Sequence, residues 1–230
     1  MHSLIRIILT LACWSPLHAQ TYKSKPSLIK QRKFTPPTKN YEQLIRNIDK
    51  DRKTLKSTNQ TLDSCRKYFL HSFEYEIFPH WVGTTWDYNG YSNQPGEGKL
   101  IACGYFVSTP LKHMGFNWNR FKLAQMYSMD IVDTLCTDMT KFENREEMIN
   151  QLKQKKDHLY IIGLDNHVGM LLKSRGLIWF VHSNYIGSEG PVKEFALASE
   201  ALYSSAYYVG TFTSDQNMQK WLNGTLFPTE

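Results

Sequence analysis

The spacing of apolar residues changes once along this chain, close to residue 157, and that change limits the fold more than any other feature. Before it the apolar side chains recur at helical spacing. Leu44, Ile45, Ile48 and Leu55 form one face over 41–56, and after a polar break at 57–60, Leu62, Cys65, Phe69, Phe73 and Ile77 form a second. Asn119 opens what reads as a long amphipathic helix carrying Phe121, Ala124, Tyr127, Ile131, Val132 and Leu135. Another is predicted from about Glu143 to Lys156, around Met148, Ile149 and Leu152. Beyond the change, Leu159–Leu164, His167–Lys173 and Ile178–Tyr185 read as successive strands, the last two joined at Ser174-Arg175-Gly176. A helix around Val192–Leu202, a strand at Tyr207–Thr213 and a short C-terminal helix are expected to follow. Helices packed on a small antiparallel sheet make an α+β domain.

The N-terminus is read separately. Residues 1–19 contain one basic residue, Arg6, an apolar run from Leu4 to Trp14, and a small-residue exit ending at Ala19. That is the layout of a secretory signal peptide, so a secreted or periplasmic protein is expected. The run is shorter than the roughly 20 apolar residues of a membrane span, and no later stretch approaches that length, so no integral membrane segment is expected. Residues 20–40 are basic and contain proline, and read as a flexible leader; 41–230 would form one domain, acting as a monomer. The formal charge is +6 from 27 basic and 21 acidic residues, and loss of Arg6 leaves 26 against 21, or +5. With no dense basic stripe interleaved with aromatics, nucleic acid is not an expected partner.

Removal of the signal peptide would leave Cys65, Cys103 and Cys136, an odd number in a compartment that permits disulfides. Cys65 and Cys136 fall in half-apolar helical segments, where either buried thiols or a bridge would fit. Cys103 follows a turn-rich segment, 83–99, and opens an apolar run ending at Gly115, which has the character of a helix C-terminal cap. A cysteine nucleophile needs its thiol pKa lowered, and a helix N-terminus and an imidazole are the two usual devices. Cys103 is placed to have the first. His167, at a strand opening with Gly169 on its side, can supply the second. The next strand returns antiparallel with His182 and Asn184 pointing the same way, either of which can hold the other imidazole nitrogen. The histidines lack a Cys or carboxylate at zinc-like spacing, so neither metal nor cofactor is expected.

The run Ile101-Ala102-Cys103-Gly104-Tyr105-Phe106-Val107, then His167-Val168-Gly169-Met170-Leu171-Leu172 and Phe180-Val181-His182-Ser183, resembles the NlpC family of cell-wall cysteine peptidases. Gly83-Thr84-Thr85-Trp86-Asp87-Tyr88-Asn89-Gly90 is similar to that family's approach to its cysteine. The resemblance covers residues 80–185 and implies a papain-like fold. It further implies Cys103 as nucleophile, His167 as base, His182 as orienting residue and Tyr88, or Trp86, near the oxyanion. The substrate it implies is the peptide stem of peptidoglycan, with Trp81, Trp86 and Asn184 as binding residues. The chain departs from the pattern at Ala102, where the family usually has Asp, and at Gly104, where Ser is usual; the stretch from Cys103 to His167 is also long, and the hairpin before His182 is extended. Two other readings are amide or acyl hydrolysis on a different polymer or protein, and a wall-binding module whose Trp81, Trp86 and Tyr88 stack on sugars.

Overall fold

The computed structural model describes residues 40–229. The signal-peptide and leader readings, 1–39, lie outside the described residues. Helix α1 (Tyr41–Ser57) starts where the Asn40 side chain accepts the Gln43 N–H, and α2 (Leu62–Ser72) where Thr61 accepts that of Ser64. Each cap satisfies one of the donors a helix start leaves unpaired. The second helix continues through a π-helical turn, Phe73–Ile77, into the short α3 (Phe78–Trp81). Helix α4 (Cys103–His113) forms despite an internal Pro110, and Gly115 follows it at φ +106, a backbone conformation suited to glycine.

The long helix expected from Asn119 is two: α5 (Arg120–Ala124), capped by the Asn119 side chain, and α6 (Ser128–Leu135). Tertiary contact accounts for the break. The Ser128 hydroxyl donates to the Leu164 carbonyl at 2.5 Å, turning α6 toward the sheet. Helix α7 (Arg145–Gln154) follows an unforeseen strand, β1 (Met139–Phe142). The sheet is completed by β2 (Leu159–Gly163), β3 (Val168–Ser174), β4 (Leu177–Asn184), β5 (Gly190–Phe195) and β6 (Tyr207–Thr211), and α8 (Asp215–Asn223) follows. The helix expected at 192–202 is therefore overturned, because Gly190–Phe195 pairs with β4 along its whole length.

The six strands lie in the order β1-β6-β2-β3-β4-β5, each antiparallel to its neighbours. Alternation divides the core between the two faces. Leu159, Ile161, Val168, Met170, Leu172 and Val181 share one apolar cluster with residues of α1, α2 and α4. Ile162, Leu171 and Phe180 join the other, with Met148, Ile149 and Leu152 of α7. Full burial of such a side chain contributes about 1.5–3 kcal/mol, so both faces of the sheet help to fix its register. The architecture is α+β. Among the described residues no helix is long and apolar enough to cross a membrane.

Candidate active site

The backbone leading into Cys103 is held from two sides. Thr85 O accepts from Ile101 N–H at 2.9 Å and Gly90 O from Ala102 N–H at 2.8 Å, while the buried Ser183 hydroxyl of β4 donates to Ile101 O at 2.8 Å. The chain then turns into α4 with Ala102 as its N-cap, and Ala102 has no side-chain acceptor. The first N–H groups of α4 are thus left uncapped around the thiol, at the positive end of the helix dipole. Gly104 has a packing reason: a Cβ there would lie 2.3 Å from the Ala124 carbonyl oxygen, so only glycine lets α5 approach the start of α4 this closely.

The thiol of Cys103 is partly exposed and is met by the backbone N–H of Val168, the residue that follows His167. Its acidity is not what the sequence leads one to expect. Burial pushes the thiol up, against the pull of the N–H groups of Val168, Gly104 and Cys103 itself. The two histidines move the other way. Burial and the neighbouring His182 hold His167 well below the usual imidazole range, and burial lowers His182 in spite of a nearby carboxylate. Sulfur and imidazoles are therefore neutral at rest.

His167 Nε2 lies 3.0 Å from His182 Nδ1, and the two rings stand edge to face. His182 is fully buried and stacks on Phe180, with centroids 4.0 Å apart and planes at 13°. Gly169 makes this possible, since a Cβ there would sit 2.6 Å from the Phe180 ring and 3.0 Å from His182 Cβ. The space that the sequence leaves beside His167 is thus filled by this stacked pair. The second nitrogen of His182, Nε2, lies 3.0 Å from Glu194 Oε1. The remaining ring nitrogen, His167 Nδ1, is buried and has no hydrogen-bond partner.

Several of the residues named from sequence are placed elsewhere. Trp81 is fully buried and donates its indole N–H to Tyr41 Oη at 2.8 Å, so it is a core residue that substrate cannot reach. Asn184 is also occupied: its amide donates to Glu189 and its carbonyl accepts the Ile186 N–H, an arrangement that shapes the turn after β4. His182, not Asn184, holds the imidazole. Tyr88 is 81% exposed and is not drawn into the group. Trp86 is nearer: its ring lies 6.3 Å from Tyr185, whose ring is 5.2 Å from His167. The buried Trp86 Nε1–H has no acceptor. Cys65 and Cys136 are buried free thiols.

Sequence reasoning misses Tyr185 and Glu194. Tyr185 ends the predicted strand, and no motif marks it. Glu194 falls within 192–202, where the sequence predicts a helix. As part of β5 it stands opposite Phe180, on the same face as His182 and diagonal to it. Among the described residues no cluster of His, Cys, Asp and Glu is arranged to hold a metal ion. A groove of about 780 Å³ lies at the far end of the β3–β4 hairpin, lined in part by Arg66, Glu74, Lys156 and Arg175, away from Cys103. Compared with family models, curated proteins and solved structures, the chain matches none.

Proposed function

We propose that this protein is an exported cysteine hydrolase of papain-like, NlpC-like design that cleaves an amide bond in the peptide stems of peptidoglycan. One observation carries the reading. A partly exposed thiol sits at an uncapped helix N-terminus and meets the backbone N–H of Val168, the residue after His167, and the only unpartnered ring nitrogen of the histidine pair is on His167. An orphaned buried nitrogen costs stability, and a catalytic base gives it a use.

In this mechanism the neutral thiol gives its proton to His167 Nδ1 as Cys103 Sγ forms a bond to the substrate carbonyl carbon. The oxyanion accepts from the free N–H groups at the start of α4. His167 then passes that proton to the leaving nitrogen, the C–N bond breaks and a thioester remains. Water attacks the thioester after losing its proton to Nδ1, the C–S bond breaks, and the proton returns to sulfur. Tyr185 lies against the imidazole and Trp86 against Tyr185, and in this reading the two rings form one side of the substrate site.

The test incubates the wild-type protein and Cys103→Ala with purified peptidoglycan and compares the soluble fragments by mass spectrometry. New fragments from the wild type alone, with the variant slower by about 10⁴-fold or more, support the reading and identify the bond. Identical fragment sets from both proteins would remove it.

A further inference from the structure

The contacts around His182 determine more than its position. Glu194 Oε1 lies 3.0 Å from His182 Nε2. An ionised carboxylate has no proton to give, so this contact puts the hydrogen on His182 Nε2. A neutral imidazole carries one N–H, which leaves His182 Nδ1 as an acceptor. Its neighbour at 3.0 Å, His167 Nε2, must then be the donor. His167 in turn carries its single hydrogen on Nε2, and its Nδ1 is left with a bare lone pair, at the one ring nitrogen that has no partner.

Building on the hydrolase reading, we propose that Glu194 is a positioning residue that fixes both histidine tautomers, so that His167 Nδ1 is always unprotonated, the form in which that reading needs it to take the thiol proton. The carboxylate acts through two rings and touches neither substrate nor sulfur. No proton needs to reach it: once His167 becomes imidazolium, its Nε2–H still donates to His182, whose own hydrogen remains directed at Glu194. The other carboxylate acting on His182, Glu189, is engaged by the Asn184 amide at 2.9 Å and leaves this role to Glu194. The Glu194 carboxyl is suited to stay ionised. Burial raises it, but the His182 N–H and the Ser199 hydroxyl outweigh that effect and bring it below the usual range.

Glu194→Gln tests the idea because it keeps the size and replaces an obligate acceptor with a group that can also donate. A glutamine N–H aimed at His182 Nε2 permits the opposite order, with hydrogens on His182 Nδ1 and His167 Nδ1. Nitrogen-15 spectra of the histidine rings at neutral pH read the tautomers directly. In the wild type both hydrogens are expected on Nε2. In Glu194→Gln a share should move to Nδ1, with Cys103 alkylation by iodoacetamide slowed about 10-fold or more and kcat on peptidoglycan falling further than KM changes. Wild-type spectra with hydrogen on His167 Nδ1 overturn the proposal without any variant. So does a folded Glu194→Gln whose spectra and alkylation rate match the wild type. Wild-type tautomers as expected, together with their change in the variant and no cleavage of peptidoglycan, would uphold the relay and dispose of the hydrolase reading alone.

Discussion

The two ends of the β3–β4 hairpin treat buried polar groups in opposite ways. At the turn end, Glu74 is 5% exposed and every group near it compensates it: Lys193 at 2.9 Å, Arg175 at 3.6 Å and the Ser174 hydroxyl at 3.2 Å. Lys173, equally buried, reaches Asp157 at 3.6 Å. Of the cations lining the groove there, Lys173 and Arg175 pair with Asp157 and Glu74, and Arg66 with Asp63 and Asp215. At the other end two neutral histidines form a chain that starts at the Glu194 carboxylate and ends in a nitrogen without a partner. A satisfied ion pair braces the fold, whereas a costly atom left unpaired in a rigid frame is available for chemistry.

Three substitutions or conditions sharpen this contrast. Gly169→Ala should have the largest effect, because the added methyl must displace Phe180 or His182. Overpacking of this kind costs about 1–3 kcal/mol, and urea unfolding together with fragment release should both report it, with cleavage down about 10-fold or more. Unchanged cleavage would mean that the stacked pair does not hold the base in place. Glu74→Gln at the turn end should cost about 1–2 kcal/mol by leaving Lys193 and Arg175 without their anion, while the cleavage rate per folded molecule stays as it was. An activity loss there would join the two ends.

The smallest effect per residue concerns pH. Burial lowers His113 and His158 to about 4, and it lowers His167 and His182 as well. In the unfolded chain each takes up a proton near about pH 6.5. Below that point the unfolded state binds protons that the folded state refuses, so stability falls as pH drops from about 6.5 toward about 4. Cleavage has a related acid limit. It should persist below the ordinary histidine range, because His167 remains unprotonated there while the protein stays folded. Unfolding midpoints measured across this interval check the first statement and initial rates the second; a flat stability curve would contradict the buried neutral state.

The parts of the molecule that were readable in sequence are those where pattern and burial coincide. Leu44 and Ile48 bury one stripe of α1, and β2 to β4 carry the apolar density of strands covered on both faces. The edges of the sheet were not readable. The strand β1 buries only Phe142, and β5 interrupts its alternation with consecutive Lys193 and Glu194, so neither shows a clear period of two. The same misreading hid Glu194 from the site. His167 and His182 were found because a tight turn and side-chain parity place them side by side. Trp81 was misjudged because an aromatic next to a turn-rich segment looks accessible until the helix end that carries it is seen to point inward.

The raised pKa of Cys103 has a consequence for durability. Peroxides and other oxidants attack thiolate sulfur, the first rung toward sulfenic and irreversible acids. A sulfur that parts with its proton only when a carbonyl arrives offers such reagents little to react with in the interval. Its proton is a safety catch, and the protein should keep its full thiol titre through long storage in aerated buffer.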